Sequence, residues 1–96
     1  MSLHTITIQF DLDNYTTAYP SITKNKIIGH FRNALKEIHI HSIEISGSEN
    51  ILAISVTNIS NFELCEAVLE IFCNKFDEIL PGGIRPRLYT ATKNKE

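Results

Sequence analysis

The chain has 96 residues, 43% of them hydrophobic, with 9 basic residues against 11 acidic and a formal net charge of -2. That is apolar material for one core and too little for two, so residues 1–96 read as a single domain. The near balance of charge supplies no global field to draw nucleic acid or an anionic membrane, and no apolar run approaches the roughly 20 residues of a spanning helix, so the expectation is a soluble, cytoplasmic protein.

Met1-Ser2-Leu3 precede the patterned residues and read as an expression remnant or a disordered start. Ile6, Ile8, Phe10 and Leu12 then alternate with Thr5, Thr7, Gln9, Asp11 and Asp13, the period-2 signature of a strand with one buried face. A polar loop runs from Asp13 through Tyr15 to Tyr19-Pro20, where Ser21 or Thr23 can cap a helix. Ile27, Ile28, Phe31, Ala34, Leu35 and Ile38 make the apolar stripe of that helix.

Alternation returns from Ile40 to Ser46 with Ile43 and Ile45 apolar. Ile38 and Ile40 are out of phase with them, so either the helix runs into Ile38 or a bulge lies near His41. The turn residues Ser46-Gly47-Ser48-Glu49-Asn50 join this strand to a second one over Ile51 to Thr57, with Leu52, Ile54 and Val56 on one side. Ser60-Asn61-Phe62-Glu63 reads as a capping box with Ser60 as cap, opening a helix whose buried stripe is Cys65, Val68, Leu69, Phe72, Phe76 and Ile79. Pro81-Gly82-Gly83 ends it. Ile84 to Thr92 is a last strand, and Pro86 within it suits an edge position; the tail over residues 93–96 reads as frayed.

The order β-α-β-β-α-β with right-handed crossovers predicts an α+β, ferredoxin-like sandwich: a four-stranded antiparallel sheet in the order 4-1-3-2 with two helices on one face. Phe10, Ile28, Phe31, Leu35, Ile54, Val68, Leu69 and Phe72 are its expected core. The other face is left uncovered, and an uncovered face with an edge strand motivates the expectation of a homodimer.

In this topology the loop after the first strand, the hairpin at Gly47 and the Pro81-Gly82-Gly83 loop emerge at one end of the sheet. That end gathers the candidate ligand-binding residues: Asp11, Asp13, Tyr15, Tyr19, Gly82, Gly83, Arg85 and Arg87. Two carboxylates at i, i+2 on a strand, Asp11 and Asp13, could hold Mg²⁺ through hard oxygen ligands, and a Gly-Gly followed by two arginines could hold a phosphate. The plainer reading is that these acids and arginines pair across neighbouring strands. His39 and His41, at i, i+2, could share one side of a strand but lack a third ligand nearby, while His4 and His30 are isolated. Cys65 and Cys73 stand eight residues apart on one helix, about 12 Å, too far for a disulfide, and read as two buried thiols. No Ser/His/Asp or Cys/His arrangement is present, no catalytic residue is assigned, and no cofactor is expected.

The segment Ile6 to Asp13, ITIQFDLD, resembles the opening strand of virulence-associated protein D and of the related small CRISPR-associated nucleases. The resemblance covers about eight residues plus length and element order. It implies a ferredoxin-like dimer with a metal-dependent or metal-assisted ribonuclease activity, in which Asp11 is the matching aspartate. The leading expectation from the residues themselves is a small, dimerising module that binds a protein partner or small ligand without catalysis. Its alternatives are the endoribonuclease with Asp11 as metal ligand, and a structural subunit of a larger assembly.

Overall fold

A computed structural model describes residues 2–12, 23–75 and 86–94 of the chain. Six elements follow in the expected order: β1 (Ser2–Asp11), α1 (Lys24–Lys36), β2 (Glu44–Gly47), β3 (Ile51–Ile59), α2 (Phe62–Asn74) and β4 (Arg87–Asn94). The strands form one sheet in the order β2-β3-β1-β4, with every neighbouring pair antiparallel. Pro86 stands immediately before β4, on the sheet edge, where its missing N–H interrupts no ladder. β1 and β4 both run further than the hydrophobic alternation: Ser2 pairs with Asn94 and Leu3 with Lys93, while Met1, Lys95 and Glu96 lie outside the described residues.

Alternation along β1 sends Ile6, Ile8, Phe10 and Leu12 to the face that both helices cover. There α1 contributes Ile27, Phe31, Ala34 and Leu35, and α2 contributes Cys65, Val68 and Phe72. The centre is aromatic. The Phe31 ring lies 5.6 Å from that of Phe10 and 5.7 Å from that of Phe72, the latter edge-on at 80°. Of the expected core, Ile28 and Leu69 are only partly buried and pack against its margin; the rest are fully enclosed.

Three backbone devices differ from the sequence expectation. First, α1 ends at Lys36, and His39 takes a left-handed conformation (φ 63°) while its N–H donates to the Lys36 carbonyl and that of Ile40 to the Leu35 carbonyl. This is a Schellman closure with a histidine where glycine is usual, and it brings Ile40 back into the core beside Leu35. His39 and His41 therefore sit in turn and loop, both exposed, and not side by side on a strand; β2 begins only at Glu44. Second, the β1–β3 register slips between His4/Ile59 and Ile6/Val56, a bulge at which Asn58 is left-handed (φ 58°). The extra residue turns both Val56 and Ile59 inward, three positions apart on one strand. Third, the cap of α2 is Asn61, not Ser60: its side chain accepts from the Glu63 N–H at 2.8 Å. Thr23 caps α1, accepting from Lys26 N–H at 3.3 Å.

Cys65 and Cys73 are both free, and Cys73 is exposed, which corrects the reading of two buried thiols. Phe76, Ile79 and the Pro81-Gly82-Gly83 helix end lie outside the described residues.

Candidate functional site

The face away from the helices is built from the odd positions of β1 and the residues that pair with them. Thr5, Thr7, Gln9 and Asp11 form its central row; Ala53 and Arg87 flank Gln9, Ser55 and Tyr89 flank Thr7, and Ile51 stands opposite Asp11. This surface is mixed, its hydroxyls, carboxamide and charges standing beside Ala53, Ile51 and an exposed Tyr89. The Thr7 and Ser55 hydroxyls share a hydrogen bond of 2.7 Å across the β1–β3 pair, a cross-strand contact that draws the middle of the face together.

At the end where β1 stops, the face sinks into a hollow of about 160 Å³ lined by Gln9, Asp11, Ile51 and Arg87. Its walls come from three strands, β1, β3 and β4, so their register fixes the spacing of the groups. The strand ends are tied down as well: the Leu12 N–H donates to the Asn50 carbonyl at 2.7 Å, and Lys24 Nζ donates to the Ser48 carbonyl at 2.6 Å. The hairpin turn between β2 and β3 is thereby held against both β1 and the start of α1. Gly47 permits that turn. Its φ of 124° and the Ile51 carbonyl oxygen, which stands against the place a Cβ would take, leave no room for a side chain.

Chemically the hollow offers a carboxylate, a carboxamide, a guanidinium and one aliphatic wall. Arg87 presents a planar fork of donors to a carboxylate or phosphate. The Asp11 carboxylate is an acceptor, and Gln9 both donates and accepts. The volume lies below the roughly 300–1,000 Å³ of pockets that engulf drug-sized ligands, so it suits a small molecule or one polar end of a larger one.

Of the residues expected here, Asp11 and Arg87 come together on one face. Asp13, Tyr15, Tyr19, Gly82, Gly83 and Arg85 lie outside the described residues. Gln9 and Ile51 were not foreseen as site residues. Gln9 is two residues before Asp11 and so on its face, and the hairpin sets Ile51 opposite Asp11; both follow once the strand pairing is known. Among the described residues no group of three or more His, Cys, Asp or Glu side chains is arranged to hold a metal ion.

Two of the histidines, His4 and His30, serve the fold. His4 Nδ1 lies 3.0 Å from Thr92 Oγ1 across the β1–β4 pair. His30 Nε2 lies 2.8 Å from the Lys75 carbonyl oxygen, which can only accept, so Nε2 carries the proton and helps close the end of α2. A second hollow, about 180 Å³, opens on the helix side between α2 and β4, where Ile6, Phe62, Leu69 and Thr90 give it an apolar lining. Cys65 borders it, but burial pushes its thiol above the ordinary value, which lowers its thiolate fraction and its worth as a nucleophile.

No family model and no curated protein matches the chain. Among solved structures, a de novo designed protein described as Foldit4 is similar, with a TM-score of 0.59 over 99% of this chain and 98% of that one at 11% identity. Likeness at that identity establishes the fold alone, so function has to be argued from the surface.

Proposed function

We propose that the chain is a small, self-associating ferredoxin-like binding module that takes a small polar ligand, or the polar end of a protein partner, in the hollow at the end of β1 and performs no chemistry on it. The observation that carries this reading is the meeting of Asp11, Gln9 and Arg87 around one recess on a sheet face free of helices. An anionic group on Arg87 and a donor, such as an ammonium or amide, toward Asp11 and Gln9 would satisfy the recess. A ligand of mixed charge fits it better than a bare anion, which would meet the Asp11 carboxylate.

The endoribonuclease reading assigns Asp11 differently, as a metal ligand at the end of β1. One experiment separates the two: thermal melts of wild type and Asp11→Asn with and without Mg²⁺ or Mn²⁺, beside an RNA-cleavage assay. The binding module predicts no metal-dependent shift and no cleavage. A metal shift in wild type that disappears in Asp11→Asn, together with cleavage, would overturn it. The structural-subunit reading expects an apolar open face; the described part of that face mixes Thr, Ser, Gln, Asp and Arg with Ala53, Ile51 and Tyr89.

A further inference from the structure

The two edges of the sheet differ in a complementary way. β2, at one edge, carries Glu44 and no basic residue, and Glu49 follows in its turn; β4, at the other, carries Arg87 and Lys93 and no acid. Each edge also leaves one large aliphatic side chain in water on the helix side: Ile45 of β2, 41% exposed and paired with buried Ile54, and Leu88 of β4, 38% exposed and paired with buried Ile8. Strand direction completes the match. β2 and β1 run one way and β3 and β4 the other, so a copy displaced along the sheet sets its β2 antiparallel to β4 of the first, with both helix layers on the same side.

We propose that the β4 edge of one copy pairs with the β2 edge of a second copy, head to tail, extending one antiparallel sheet across both. With Ile45 opposite Leu88, the two aliphatic side chains meet below the sheet, and Glu44 lies diagonally across from Arg87 above it, within reach of long side chains. Like edges match less well: β4 against β4 brings the Arg87 of two copies into one ribbon, and β2 against β2 does the same for Glu44. A head-to-tail contact leaves one free edge of each kind, so a dimer is the first member of an open series. The inference rests on the self-association in the proposed function and shares Arg87 with the ligand hollow, whereas Ile45 and Leu88 stand apart from it, so the Ile45→Lys and Leu88→Lys variants test the pairing without touching the hollow.

The test is sedimentation velocity of the full chain over a range of concentrations, with Ile45→Lys and Leu88→Lys, each checked for a wild-type melt. Wild type is expected to pass beyond dimer as concentration rises, each variant to be monomeric alone, and an equimolar mixture of the two to form dimers and nothing larger, since each supplies the edge the other lacks. Charge reversal gives a second route: Glu44→Arg and Arg87→Glu each weaken association, and both reversals in one chain restore it. A dimer that survives Ile45→Lys but not Leu88→Lys would uphold self-association and overturn this pairing in favour of β4 on β4. A wild type that stays monomeric throughout would overturn both.

Discussion

His39 is a residue whose conformation is more demanding than its side chain. Left-handed backbone costs a non-glycine residue roughly 1–2 kcal/mol, and the His39 imidazole is exposed. His39→Gly is therefore expected to raise stability by about 0.5–1 kcal/mol, read as a melting temperature a few degrees higher. Gly47 presents the opposite case: Gly47→Ala collides with the Ile51 carbonyl and has to open the hairpin, so it should lose more than about 1 kcal/mol and loosen the wall of the hollow that Ile51 forms. The cysteines divide by exposure. One thiol, Cys73, should react rapidly with a thiol reagent in the native protein and two after denaturation. Because the buried Cys65 thiol titrates above its ordinary value, its contribution to stability is whole at neutral pH and is lost as pH rises from that ordinary value through the native one.

The elements show which physical signals a sequence carries openly. β1 was legible because strict alternation has one structural meaning, and that same alternation put Asp11 on the helix-free face. The stripe of α1 was legible for the same kind of reason, but its end was not: Ile38 and Ile40 fall out of phase with Ile43 and Ile45, which left a helix running into Ile38 or a bulge near His41 open, whereas the chain reverses through a Schellman closure that glycine would have announced and histidine conceals. The bulge at Asn58 was hidden too, since a bulge is a property of pairing and only the partner β1 reveals the extra residue. The cap of α2 was misplaced by one residue because Ser60 and Asn61 are both good caps, and the sequence does not rank adjacent candidates. Of the hollow, Asp11 and Arg87 were legible from periodicity and strand adjacency; Gln9 and Ile51 needed the register. The helices meet the sheet through Phe31 and Phe72, both fully buried. Phe72→Ala leaves a cavity in that contact and should cost on the order of 3 to 5 kcal/mol by denaturant melt, a large share of a small domain's stability.

At the scale of the whole molecule, the fold divides its labour between two faces. The helix side is an apolar layer in which the Phe31 ring meets those of Phe10 and Phe72, and no side-chain polar atom is left buried without a partner among the described residues. The other side is a mixed sheet surface with a recess where β1 ends beside β3 and β4. Replacing Asp11 by Asn at this exposed edge of the sheet should change stability by no more than about 1 kcal/mol, so a loss of binding there would report recognition and not unfolding. The most direct measurement is a screen of small amino acids, carboxylates and phosphates followed through the backbone amide resonances of the ¹⁵N-labelled protein. The proposed function predicts that bound compounds shift the amides of Gln9, Asp11, Ile51 and Arg87 together and that Arg87→Gln abolishes those shifts. Compounds that gather instead around Phe62 and Leu69, or shifts at the end of β1 that persist unchanged in Arg87→Gln, would contradict it.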